Sequence, residues 1–168
     1  MKLLKIFIAA LLFTTISTGA FAQLRLGAGM GFGFDSEAFT VFARGAYDFS
    51  DRIRANATFN YYFLEDVEVQ GGKYGNNASD LNLDLHYTFA SMPTISFYGL
   101  AGANFIFTSV DTPVSKASNT DIGLNLGIGG LFGISDKADI VTEFKYVIGG
   151  ADQLFFNAGL LFNITGSR

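Results

Sequence analysis

From Leu24 onward the sequence alternates apolar and non-apolar residues with a period of two, in eight segments of 10–14 residues. A strand points successive side chains to opposite faces, so this period describes strands with one apolar face. The segments are Leu24–Phe34, Phe39–Phe49, Ile53–Leu64, Asp80–Ala90, Thr94–Phe107, Asp121–Phe132, Asp139–Ile148 and Gln153–Ile164. In the fourth, Leu81, Leu83, Leu85, Tyr87 and Phe89 oppose Asp80, Asn82, Asp84, His86 and Thr88. The fifth is less regular, and Asn104 identifies its polar face. Ordinary strands average about five to six residues, whereas a strand crossing a bilayer needs about 9–11.

The connections alternate in kind. Glu65–Ser79 and Thr108–Thr120 are long and polar and are expected to be loops. Three others are tight. Directly opposed residues of a hairpin share a face, which pairs Phe49 with Ile53, Phe89 with Ile95 and Ile134 with Ala138. The predicted turns are Ser50-Asp51-Arg52, Ser91-Met92-Pro93 and Ser135-Asp136-Lys137.

Alternation alone does not say which face is outside. A soluble barrel needs a charged exterior, yet only 15% of the 168 residues are charged, against about 25% in soluble domains. The non-apolar face holds Gly, Asn and Thr with a few charges. The apolar face ends in Phe or Tyr, as in the aromatic girdles at membrane interfaces. The expected fold is therefore all-β: an eight-stranded antiparallel up-and-down transmembrane β-barrel with the apolar face outward. Lipid also requires closure, because an open sheet edge there leaves backbone groups unbonded. Leu83, Leu124, Leu126, Phe144 and Leu160 are expected to face lipid.

Residues 1–22 read as an export signal. Lys2 and Lys5 precede the apolar run Ile6–Phe13, and Ala20-Phe21-Ala22 has the small-x-small form cleaved by signal peptidase. Residues 23–168 then form one barrel domain. That domain keeps 9 basic and 15 acidic residues, a net charge of −6, which gives no reason to expect nucleic-acid binding. The absence of Cys excludes disulfides, thiolate metal sites and a Cys nucleophile, and a single His excludes any site needing two.

Three motifs fail as chemistry. Gly27, Gly29, Gly31 and Gly33 are spaced by two along a strand and cannot form a G-x-G-x-x-G phosphate loop. They read as a bare strip that leaves room for large side chains opposite. Asp80-Leu81-Asn82-Leu83-Asp84 opens like a calcium loop, but Leu85 stands where Gly is needed and Ser91 at the twelfth position. His86 shares a face with Asp84 and Asp80 and is expected to be a buried, hydrogen-bonded histidine. No catalytic residue, cofactor or metal is expected.

The inward charges are the candidate site. Arg25, Arg44, Arg54 and Lys145 share the polar face with Asp48, Asp80, Asp84, Asp121, Asp139 and Glu143. An eight-stranded barrel is just wide enough for its own side chains to fill, and an unpaired charge there is strongly destabilising. The register sets Asp48 opposite Arg54, Gly129 opposite Glu143 and Gly127 opposite Lys145. Glu143 and Lys145 are expected to lean into the space left by the glycines. The expected arrangement is a central cluster of Arg44, Asp84, Glu143 and Lys145, with Asp48–Arg54 as a second pair.

These features, with the final strand Gln153-Leu154-Phe155-Phe156-Asn157-Ala158-Gly159-Leu160-Leu161-Phe162-Asn163-Ile164, resemble the outer-membrane β-barrel domain family, which includes the small OmpA-like, OmpX-like and OmpW-like barrels. Family members often finish on an aromatic residue, whereas this chain runs past Phe162 to Arg168. The resemblance implies a location in the cell outer membrane of a Gram-negative envelope. It also implies contact with outer-membrane lipid and lipopolysaccharide, and delivery by periplasmic chaperones and the barrel-assembly machinery. The function expected is a non-enzymatic integral membrane protein with a side-chain-filled lumen and with surface loops for structural or interaction roles. The alternative is a narrow porin-like channel passing small or apolar solutes.

Overall fold

The eight alternating segments fall in eight of the nine strands found among the described residues of a computed structural model, which describes residues 23–64, 67–69, 72–111, 116–149 and 152–165. The expected export signal, residues 1–22, lies outside the described residues. The strands are β1 (Gln23–Gly33), β2 (Ala38–Asp48), β3 (Ile53–Phe63), β4 (Val67–Val69), β5 (Gly72–Ser91), β6 (Ile95–Asp111), β7 (Lys116–Ser135), β8 (Ala138–Ile148) and β9 (Gln153–Asn163). β4 pairs only with the start of β5 and stands outside the ring. The other eight each pair antiparallel with their neighbours, and β1 pairs with β9, so the sheet closes into an eight-stranded barrel.

The two walls are inverted relative to a water-soluble core. Leu83, Leu124, Leu126, Phe144 and Leu160 lie on the outer wall, 40–61% exposed. Asn82, Asn104 and Thr40 lie on the inner wall at 0%. The closing seam is tight. Gly29 faces Gly159 across β1 and β9, and a Cβ on Gly29 would sit 2.3 Å from the Ala158 carbonyl oxygen and 2.6 Å from Phe42 Cζ. The glycine strip thus seats the Phe42 ring over the seam.

Two expectations need correction. The stretches read as loops are largely strand. Gly75 to Ala78 pair with Asp111 to Thr108, and Asp111 pairs with Lys116. Strands β5, β6 and β7 therefore run on past their neighbours as a polar three-stranded extension. Backbone pairing needs no apolar face, so strands without apolar alternation escape a pattern search. Residues 65–66, 70–71 and 112–115 of those stretches lie outside the described residues.

The turn registers also differ. Phe49 does bond Ile53, by a 2.9 Å N–H···O bond. Phe89, however, is the extra residue of a β-bulge between Thr88↔Tyr98 and Ala90↔Phe97, so it does not oppose Ile95. From Thr88↔Tyr98 into the barrel the register differs from the expected one by two residues, a shift that leaves every side chain on its own face and so is invisible to alternation. Ile134 is bulged as well: Gly133 pairs with Asp139 and Ser135 with Ala138, which leaves only Asp136-Lys137 in the turn.

Candidate functional site

The inward charges sort into groups along the barrel. Nearest the tight turns, Arg25 donates from Nε to Asp48 Oδ2 at 2.6 Å and from Nη1 to Asp139 Oδ2 at 2.7 Å. Arg54, directly opposite Asp48 on the neighbouring strand, binds the other oxygen of the same carboxylate. Two guanidiniums and two carboxylates make a neutral tetrad. Beside it lies a polar cavity of about 510 Å³, lined by Ser50, Asp51, Thr88 and Ser96 as well as by Arg25 and Arg54. Behind it Leu100, Leu131, Val141 and Leu161 pack as an apolar layer.

Farther in, Arg44 of β2 reaches across the lumen to Glu143 of β8. Its Nη1 donates to Oε1 at 2.8 Å and its Nη2 binds Oε2. Arg44 Nε donates to Thr58 Oγ1 at 3.0 Å, and the guanidinium lies 5.1 Å from the Phe42 ring centroid. Bidentate pairing fixes orientation as well as charge. The Tyr98 hydroxyl donates to Glu143 Oε1 at 2.6 Å.

A glycine makes that last contact possible. Gly129 of β7 is opposed by Tyr98 on one side and Glu143 on the other. Tyr98 must therefore lie flat across a whole strand, and a Cβ on Gly129 would be 2.4 Å from Tyr98 Cζ. The space above Gly129 is thus filled by the tyrosine ring, not by Glu143 leaning into it. His86 stacks on the other side of the ring, with centroids 4.5 Å apart. The expected hydrogen bond of His86 is not made. Neither ring nitrogen has a partner among the described residues, and Nε2 is 3.9 Å from Glu143 Oε1.

The next group is built on amides. Asn82 Oδ1 accepts from Lys145 Nζ at 2.5 Å and from Asn104 and Asn125 Nδ2, each at 2.9 Å. Asn125 also donates to Asp84 Oδ1 at 2.7 Å. Asp80 accepts from Asn60 at 2.6 Å, from Asn82, and from the Tyr62 hydroxyl at 2.6 Å. An apolar cap of Tyr62, Ala78, Val147 and Phe155 lies beyond.

Of the residues singled out from sequence, Arg44 is joined directly to Glu143, and Asp48 to Arg54. Lys145 and Asp84 are linked through Asn82 and Asn125. Sequence reasoning missed Tyr98 and the amide ladder. Their signals were present: a glycine flanked on adjacent strands by an aromatic and a carboxylate, and inward asparagines on β3, β5, β6 and β7.

A family model described as the outer membrane protein beta-barrel domain matches residues 8–163. No curated protein matches the sequence. Among solved structures, the N-terminal β-barrel domain of Pseudomonas aeruginosa OprF is similar at a TM-score of 0.68 and 16% identity, over 84% of this chain and 97% of that one. Ail of Yersinia pestis, in complex with the heparin analogue sucrose octasulfate, gives 0.66 and 14%, over 85% and 99%. Neisserial surface protein A gives 0.66 and 15%, over 87% and 98%. At these identities the likeness is one of fold.

Proposed function

The chain belongs to the outer membrane protein beta-barrel domain family, and from that premise we propose a non-enzymatic outer-membrane barrel with a side-chain-filled lumen and an interacting surface on its polar extension. The observation that carries the reading is the Arg44–Glu143 bridge with Tyr98, each residue no more than 5% exposed. These groups tie β2, β6 and β8 together across the lumen, where a water-filled channel would need open space. Leu83, Leu124, Leu126, Phe144 and Leu160 contact the lipid chains. Residues 1–22 are removed before Gln23. Such an apolar outer wall needs carriers, chaperones and an assembly machine, until it reaches lipid.

The purified protein in planar bilayers is expected to show no stepwise conductance. Regular single-channel steps would instead favour the narrow porin reading, for which the polar cavity at the turn end is the entrance. Short turns of such barrels face the periplasm, which puts the β5–β7 extension outside the cell. Protease added to intact cells is expected to cut near Lys73 or Lys116 and to spare Lys137. Cutting at Lys137 with Lys73 protected would reverse the topology.

A further inference from the structure

The cavity at the tight-turn end of the lumen changes charge with depth. Asp51 and Pro93, from the β2–β3 and β5–β6 turns, border its mouth, while Arg25, Arg54, Thr88 and Ser96 stand on the strands farther in. Its volume of about 510 Å³ falls among small-ligand pockets, which run from about 300 to 1,000 Å³. The Arg25 and Arg54 side chains are only 8% and 14% exposed, whereas Asp51 is exposed in its turn.

The two arginines are held in place without being saturated. Only Nε of Arg54 is bonded, to Asp48 Oδ1, and its Nη1 and Nη2 donate to nothing among the described residues. Arg25 uses Nε on Asp48 and Nη1 on Asp139, which leaves Nη2. A guanidinium edge with both Nη groups available is the shape that grips a carboxylate through two parallel hydrogen bonds. A purely anionic ligand is nevertheless a poor match. Arg25, Arg54, Asp48 and Asp139 already cancel in charge, and Asp51, which forms no ion pair among the described residues, adds a negative charge at the mouth. The complement of donors below and a carboxylate above is a zwitterion, with its own carboxylate inward and its ammonium at the rim. Between the two ends, Thr88 and Ser96 offer hydroxyls that both donate and accept, as the amide of a peptide requires.

We propose that this cavity binds a short zwitterionic peptide, its carboxylate on the Nη1–Nη2 edge of Arg54 and its ammonium beside Asp51. Under the proposed topology the peptide comes from the periplasm. Binding needs neither that orientation nor a conducting lumen.

The test uses the full chain folded in detergent micelles and follows the backbone amide NMR shifts of Ser50, Thr88 and Ser96 during titration with L-alanyl-L-alanine. The shifts are expected to saturate. Amidating the dipeptide's carboxylate is expected to weaken binding on the order of tenfold, the worth of hydrogen bonds to a charged group. Acetylating its amine is expected to weaken binding about threefold, as for an exposed ion pair. Arg54→Lys keeps a cation for Asp48 but has no fork, and is expected to weaken dialanine to the level of its amide. Asp51→Asn changes only an exposed turn residue, and serves if the lysine variant does not refold. It is expected to erase the difference between free and acetylated dipeptide while keeping the preference for a free carboxylate. Shifts that do not saturate, equal binding of the amidated dipeptide, or an acetylation effect that survives Asp51→Asn would overturn the proposal. Acetate binding as tightly as dialanine would also overturn it, by showing a site for anions alone. Micelles leave both barrel ends open to solvent, so an inverted topology changes nothing here and appears only in the protease experiment on cells.

Discussion

Leu126 and Gly127 are adjacent in sequence and stand on opposite walls of the barrel. Leu126 lies between Ala101 and Tyr146 on the outside, where any apolar side chain of similar size would serve. Gly127 lies between Leu100 and Lys145 on the inside. A Cβ there would be 2.4 Å from the Phe144 carbonyl oxygen and 2.9 Å from Lys145 Cα. The outer wall makes one demand, met by each residue separately. The inner wall makes demands in pairs and triples, each met only by particular partners.

The sharpest way to break this contrast is to strand a charge inside. Glu143→Gln leaves the Arg44 guanidinium without its carboxylate, and is expected to cost about 3–5 kcal/mol, as when one member of a buried pair is removed. Arg44→Met with Glu143→Gln should cost clearly less than the sum of the two single changes. Strict additivity in urea unfolding from lipid vesicles would show that the bridge carries no coupling. On the outside, Leu126→Arg is expected to cost about 2–4 kcal/mol near the midplane. Unchanged stability there would mean that the outer wall does not face lipid.

Gly129→Ala probes the inner wall without touching a charge. The added methyl meets the Tyr98 ring, and the expected cost is about 1–3 kcal/mol for overpacking. Tyr98→Leu in the same chain should recover part of it, since the shorter side chain clears the methyl. No recovery would show that the clash lies elsewhere. The smallest effect is expected from Arg52→Ala. Arg52 is exposed in a tight turn, so the change should stay within about 0.5 kcal/mol by the same unfolding measurement.

The same contrast explains what could be read in advance. Leu83, Leu124 and Leu160 were legible because the outer wall asks only for a period of two and an apolar side chain. Asp48 opposite Arg54, and Gly129 opposite Glu143, were legible because a face rule and a short turn fix the register locally. The Tyr98–Glu143 contact was not, because it crosses a third strand that contributes no side chain. Lys145 and Asp84 share Asn82 and Asn125, neutral residues that a search for complementary charges passes over. The β5–β7 extension was hidden for the opposite reason: Asn77, Ser109 and Ser118 pair through their backbones, and backbone pairing asks for no apolar alternation.

The ladder between β1 and β9 joins Arg25 to Asn163 and Gly33 to Phe155, the first and last strands in the chain. Every other pairing in the ring can form between strands close in sequence, as hairpins do. This one waits for the C-terminal strand. Until it arrives, the sheet has two open edges, each a template for pairing with another chain, and an apolar wall with no lipid against it. Loss of β9 alone would therefore do more than remove one strand in eight, since it would turn a ring without ends into a ribbon with two.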